Sequence, residues 1–265
     1  MPTELEDVQK QTAAANRILT DQGLAVGVTS ALGHVSMRVP SEPNKFVVKG
    51  REYELDALSE MQADDMVVCD TEGFKVGGRP ELTQCSEIKI HSCIYKTQPQ
   101  VNSVVHVHPR YTVLLSILGV TIVPMCQEGA PLVRNPLKVY PHVKTIQTDE
   151  EGMDLATLMG SDKAILMQGH GAVTTGKDLE ESVTAMLQLE EQARMNYLAY
   201  SAAGRDYPKT PWSWLTPCPT GLPCMNYPIS GTFCKARSPS GAAYGPTGWL
   251  GFLKGWMERQ DDALA

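Results

Sequence analysis

Three histidines in this chain have settings that suit metal chemistry. His106 and His108 stand two apart in NSVVHVH, a β-branched run covering residues 102–108. Side chains alternate along a strand, so both rings fall on one face. Two imidazoles that close repel when protonated and are comfortable when neutral around a shared cation. His170 lies in GHG, directly after a second apolar run, KAILM. Its neighbours Gly169 and Gly171 let backbone and ring approach a crowded centre. Three neutral imidazoles suit one divalent ion, Zn2+ foremost, with Mn2+, Fe2+ or Co2+ as alternatives, and leave positions for water and substrate. The spacing also fits a bland reading, because an H-x-H pair arises equally as two polar residues at a strand end.

Two carboxylates are candidates for proton transfer. Glu87 falls in the first turn of an expected helix that Ser86 would cap, with His91 one turn later on the same face. A carboxylate there suits the helix dipole, so Glu87 reads either as a cap or as an acid/base beside a metal. Glu128, in CQEGA, reads either as a second proton-transfer group or as a turn residue. Arg110 and Tyr111 follow the histidine strand directly and would shape a pocket, with packing as the other role for Tyr111.

The elements that must position these groups are legible in outline. Leu5 to Gln22 has helical periodicity and Gly23 suits its stop. Ser30 to Arg38, Lys45 to Lys49 and Met66 to Cys69 read as strands, with a turn at Asp70 to Gly73. A helix from Ser86 runs to about Thr97, before Pro99. Asn102 to His108 and Lys163 to Met167 read as buried strands, and Thr121 to Pro124 as a short extended piece. Tyr111 to Leu118, Gly152 to Met159 and Asp178 to Ala202 read as helices, the last with Asp178 at its cap. The stretch QGHGAVTTG reads as loop and turn. Residues 1–204 thus form one expected catalytic domain. The Pro-, Gly- and Trp-rich residues 205–265 read as an arm packing on the core or on a neighbouring subunit.

Composition narrows the partners. With 265 residues, 42% of them hydrophobic, the chain can bury a sizeable core. A net charge of −7 argues against nucleic acid and anionic membrane surfaces as main partners. No apolar stretch approaches a membrane span, and the acidic, periodic start MPTELEDVQK is unlike a signal or transit peptide. Seven cysteines without a C-x-x-C pair read as packing thiols in a reduced, cytoplasmic setting.

Taken together, four segments resemble the class II aldolase and adducin-like family: GHVSMR (33–38), CSEIKIHSCIY (85–95), VVHVHP (104–109) and GHGAVTTGKDLEES (169–182). They occur in that family's order over roughly residues 8 to 200. The resemblance implies an α/β fold of three layers, α/β/α, with a central, mostly antiparallel sheet. It implies a metal on His106, His108 and His170, with Glu87 as a further ligand or acid/base, and a homotetramer with sites near subunit interfaces. It also implies substrate contacts from His34, Ser36, Arg38, Ser86 and Tyr111.

Departures from the pattern bear on the substrate. Phosphosugar aldolases of this family usually carry Asn where this chain has His34, and Ser-Ser-Glu where it has Cys85-Ser86-Glu87. Their phosphate-gripping element is replaced here by VVKGREYELD. The GHVS form looks more like the branch that decarboxylates hydroxylated aromatic or unsaturated acids, with Lys49 and Arg51 available for a carboxylate in place of a phosphate. The expected activity is a metal-dependent carbon–carbon lyase, a decarboxylase or retro-aldolase acting on a small non-phosphorylated carboxylic acid. In either reaction a cation on the neighbouring oxygen stabilises the developing enolate. Alternatives are an iron(II)-dependent oxygenase of the same fold, a phosphosugar aldolase or epimerase, and a non-catalytic adducin-like interaction module.

Overall fold

Alternation along two central strands decides the architecture. In strand β2 (Glu42–Arg51), Phe46 and Val48 join one apolar cluster while Val47 joins another. In β3 (Met66–Asp70), Val67 and Cys69 face the first cluster, Met66 and Val68 the second. A sheet buried on both faces needs a helical layer on each. Helices α2 (Ile88–Thr97) and α4 (Asp149–Met159) pack together and supply Ile90, Ile94, Leu155 and Met159 to the first cluster. Helix α1 (Glu4–Asp21) supplies Val8 and Ala13 to the second. Helices α3 (Arg110–Leu118) and α5 (Leu179–Ala203) pack against each other, and α5 also meets α1. This computed structural model describes residues 3–52 and 56–204. The C-terminal arm expected at 205–265 lies outside the described residues.

The remaining strands are β1 (Gly33–Val39), β4 (Lys75–Gly77), β5 (Thr83–Gln84), β6 (Ser103–Val107), β7 (Val139–Tyr140), β8 (Ala164–Met167) and β9 (Gly171–Gly176). The sheet runs β4-β3-β2-β1-β6-β9-β8-β7, with β5 paired to β2 off this path. Every pairing is antiparallel except β7 with β8. The expected three-layer fold with a mostly antiparallel sheet is therefore what the chain adopts.

Several local expectations need correction. GAVTTG is not loop and turn but strand β9, hydrogen-bonded between β6 and β8. Its glycines mark its ends, and the β-branched Val-Thr-Thr run between them is the strand signal. Ser86 does not cap α2: Glu87 occupies the cap position and its side chain makes no capping hydrogen bond. Thr121 to Pro124 joins no sheet. Asn196 on α5 brackets Val123 instead, its Oδ1 accepting the Val123 N–H at 3.2 Å and its Nδ2 donating to the Val123 carbonyl at 2.7 Å. Helix α4 starts earlier than expected, at a capping box in which Thr148 and Glu151 satisfy each other's backbone N–H.

Candidate metal centre

Glu87, His106, His108 and His170 converge, their ligand atoms all within 4.8 Å of one another. Strand β6 carries His106 on its α2-facing side, the side of Val104. His108 lies just past the strand end, and its Nε2 is 3.2 Å from His106 Nε2. His170 sits in the turn between β8 and β9, and β9 is the neighbour of β6, so the register brings the GHG turn beside the end of β6. The two glycines serve different ends there. Gly169 adopts φ +67°, a left-handed conformation that disfavours a side chain. At Gly171 a Cβ would stand 2.5 Å from the Val107 carbonyl oxygen and 3.0 Å from His106 Cε1.

The donor atoms suit a cation. The Nδ1 of His106 lies 3.0 Å from the carbonyl of Ala172, which can only accept, so Nδ1 carries the proton and Nε2 is left with its lone pair. That Nε2 is 3.3 Å from Glu87 Oε2, and His170 Nε2 is 3.4 Å from the same oxygen. The other oxygen, Oε1, accepts the backbone N–H of Ile146 at 2.9 Å, which aims the carboxylate. Lone pairs therefore face one another across a buried space: Glu87 is 6% exposed and His106 0%. A proton relieves one such contact; a divalent ion relieves all of them together.

Ionisation follows the same geometry. Burial opposes charge on Glu87; in the metal-free site, positive charge on His106 and hydrogen bonds from His106 and His170, whenever these rings are protonated, outweigh it and hold the carboxyl far below the usual range. Burial, and then charge on His106 and His170, lowers His108 to about 3. A carboxylate beside a neutral imidazole is the protonation state that metal binding requires. A second convergence, His34 with Cys85 and His91, is spent internally. His34 Nδ1 lies 2.6 Å from His91 Nε2, and burial pushes the Cys85 thiol well above its ordinary value.

The other expected site residues are distributed unevenly. His34 lies opposite His106 in the β1–β6 ladder, their ring centres 5.2 Å apart. Ser36 and Arg38 share its face of β1 but are bound internally. Ser36 Oγ contacts His91 Nδ1 at 2.6 Å, and the Arg38 guanidinium donates to the Val101, Pro43 and Tyr95 carbonyls. Lys49 is buried, and its ammonium donates to the carbonyls of Ala31 and Asp56 and to the Asp56 carboxylate. Arg51 pairs with Asp56 at 3.1 Å and is half exposed. Asp56 thus already holds both cations that the sequence offers for a substrate carboxylate. Ser86 is exposed at the start of α2, and Glu128 is exposed in a turn whose carbonyl accepts from Gln192 Nε2. Tyr111 begins α3, its ring 5.4 Å from that of Tyr197. The structure adds groups to which the motifs gave no role: the Ile146 N–H, the Ala172 carbonyl and Tyr95. The spacing of Glu87, His91 and Tyr95 by four is the signal that marks them as one face of α2.

Comparisons with known proteins bear on the family of the chain. Two similar proteins are 3,4-dihydroxyphthalate decarboxylases. The one from Rhodococcus jostii (strain RHA1) is 27% identical over 210 residues, covering 76% of this chain and 84% of that protein. The one from Terrabacter sp. (strain DBF63) is 29% identical over 199 residues, covering 72% and 80%. Among solved structures, an aldolase II superfamily protein from Pseudomonas syringae matches with a TM-score of 0.70 at 20% identity, over 81% of this chain and 83% of that one. Residues 10–197 match the Class II Aldolase and Adducin N-terminal domain, a span that takes in all four converging side chains, and the chain belongs to that family.

Proposed function

We propose that this protein is a divalent-metal-dependent carbon–carbon lyase that removes a carboxylate from, or cleaves by retro-aldol reaction, a small non-phosphorylated hydroxy, oxo or hydroxyaromatic acid. The observation that carries the reading is the meeting of the Glu87 carboxyl with the Nε2 lone pair of His106 in a buried space. His106, His108 and His170 would hold the ion, with the Glu87 carboxylate beside it as the acid/base. When bound, it supplies a positive charge next to the substrate oxygen that takes up the electron pair released by the broken bond. The similarity to decarboxylases of a dihydroxy aromatic acid supports the substrate class.

The chain's own residues supply the remainder. Glu87 accepts the proton of the substrate hydroxyl while the carbon–carbon bond breaks and carbon dioxide leaves. The pair left on carbon then takes that proton back from Glu87. Oε1 stays on the Ile146 N–H throughout, so only Oε2 exchanges the proton. Ser36 and Arg38, bound within the core, act as supports for the site rather than as substrate contacts. Glu128, exposed in its turn, is proposed as a second proton-transfer group. A homotetramer in the cytoplasm, and zinc as the ion, complete the proposal.

The test is elemental analysis of the purified protein, followed by anaerobic assay of carbon dioxide release from dihydroxylated aromatic acids after loading with zinc, manganese, iron(II) or cobalt. Stoichiometric metal and anaerobic cleavage are expected. Oxygen uptake in place of anaerobic release would identify an oxygenase, and failure to bind any of these ions would leave a non-catalytic module.

A further inference from the structure

A chain of hydrogen bonds runs from the metal centre into the core between β1 and α2. His34 Nδ1 lies 2.6 Å from His91 Nε2, His91 Nδ1 lies 2.6 Å from Ser36 Oγ, and Ser36 Oγ lies 2.7 Å from the Tyr95 hydroxyl. All four residues are buried. Each link holds one proton, so the protons must all point the same way along the chain.

Two directions exist, and they give His34 opposite chemistry. If the protons point toward the metal centre, Tyr95 donates to Ser36, Ser36 to His91 Nδ1, and His91 Nε2–H to His34 Nδ1. His34 then bears its own proton on Nε2. If they point away, His34 Nδ1–H donates inward, its Nε2 becomes an acceptor, and the last proton sits on Tyr95. That proton would have to be accepted by the Asn102 carbonyl at 3.5 Å, the limit of a hydrogen bond, and this carbonyl already accepts the Arg38 N–H at 2.8 Å. The inward arrangement ends on a donor within the core whose acceptor is distant and already engaged; the outward one leaves its unmet donor, the His34 Nε2–H, at the metal centre, where a ligand can accept it. His34 Nε2, the free end, makes no hydrogen bond among the described residues, and its ring packs against His106.

The geometry points to Tyr95, Ser36 and His91 as positioning residues that lock His34 in the Nε2–H tautomer, so that it presents a hydrogen-bond donor, not a metal-binding lone pair, to an oxygen of the substrate. The role of that donor rests on the metal-lyase reading; the tautomer does not. His106 is locked the other way, with its proton on Nδ1 facing Ala172. Two rings paired across one ladder are thereby fixed for different tasks, one to ligate and one to donate.

Nitrogen-15 NMR of the histidine-labelled, metal-free protein reads both tautomers directly, with His34→Gln and His106→Gln spectra to assign the signals. His34 is expected with Nε2 protonated and Nδ1 an acceptor, and His106 with the reverse. Ser36→Ala should shift His34 toward a tautomer mixture while its metal stoichiometry matches that of the unaltered protein. A His34 protonated on Nδ1 in the unaltered protein overturns the proposal even if Ser36→Ala fails to fold, and so does a His34 signal that Ser36→Ala leaves unmoved. Absence of bound metal with the expected tautomers would remove the lyase reading and leave the locked chain standing.

Discussion

The carboxylate of Glu190, on α5, accepts both the hydroxyl and the backbone N–H of Thr112, at 2.8 and 2.9 Å. It also accepts the Tyr111 N–H at 2.9 Å. A negative charge thereby holds the N-terminus of α3, where free N–H groups and the helix dipole favour it. Helix α3 follows His108 after a single proline, so α5 fixes the direction in which the metal strand leaves the sheet. Glu190→Ala strands three donors in a half-buried place. A loss of about 2–4 kcal/mol is expected, read as a lower urea midpoint, together with weaker zinc binding by calorimetry. A midpoint unchanged within error would show that α3 is held by other contacts.

His106→Ala should abolish both metal content and turnover, because it deletes the ring at the centre of the cluster. Glu87→Gln keeps an oxygen to accept the Ile146 N–H and places an amide NH2 where Oε2 stood, so it leaves the three histidines intact but cannot take a proton. It should retain most metal and lose a factor of roughly a hundred or more in turnover. Full metal content in His106→Ala, or an unchanged rate in Glu87→Gln, would remove the residue concerned from its assigned role.

Metal should also stabilise the fold. Zinc at about a hundred times its dissociation constant adds roughly 2.7 kcal/mol to a protein that binds it only when folded. The melting temperature should therefore rise on loading and fall back with chelator, and His106→Ala should show neither change in a thermal scan.

The glycines of GHG should separate by substitution. Gly171→Ala drives a methyl group into the Val107 carbonyl, which cannot move without shifting the β6–β9 ladder. Loss of metal binding is expected. Gly169→Ala meets nothing nearer than 3.5 Å and suffers only its left-handed backbone, about 1–2 kcal/mol. Stability should fall while zinc affinity stays close to normal; equal metal loss in both variants would contradict this division.

Glu151 contributes to acid sensitivity away from the metal centre. Pairing with Lys144, and then the N–H groups of Gln147 and Thr148, lower the carboxyl of Glu151 from 4.5 to about 2. A carboxyl with a depressed folded-state value stabilises the protein above its unfolded value and loses that contribution as pH falls through the folded one. The stability difference between the unaltered protein and Glu151→Gln should thus be constant above about pH 5.5 and shrink as the pH drops from about 4.5 toward 2. A difference that grows on acidification would reverse the assignment.

The three histidines and the kind of scaffold that carries them are legible in the amino-acid order alone. A period of two puts His106 and His108 on one side of a strand, and the joint order of four segments points to the family and, through it, to a layered α/β fold. Spacing left Glu87 open between a helix cap and a metal-side group, because both uses suit the first turn of a helix. Only the tertiary structure turned its carboxylate away from the helix N–H groups and toward His106, through the Ile146 N–H fifty-nine residues away. Nor does sequence show that Lys49 and Arg51 are held by Asp56, or which nitrogen of each imidazole carries its proton. Those outcomes depend on partners distant along the chain, and a local pattern carries no information about which distant acceptor or donor a buried polar group will meet.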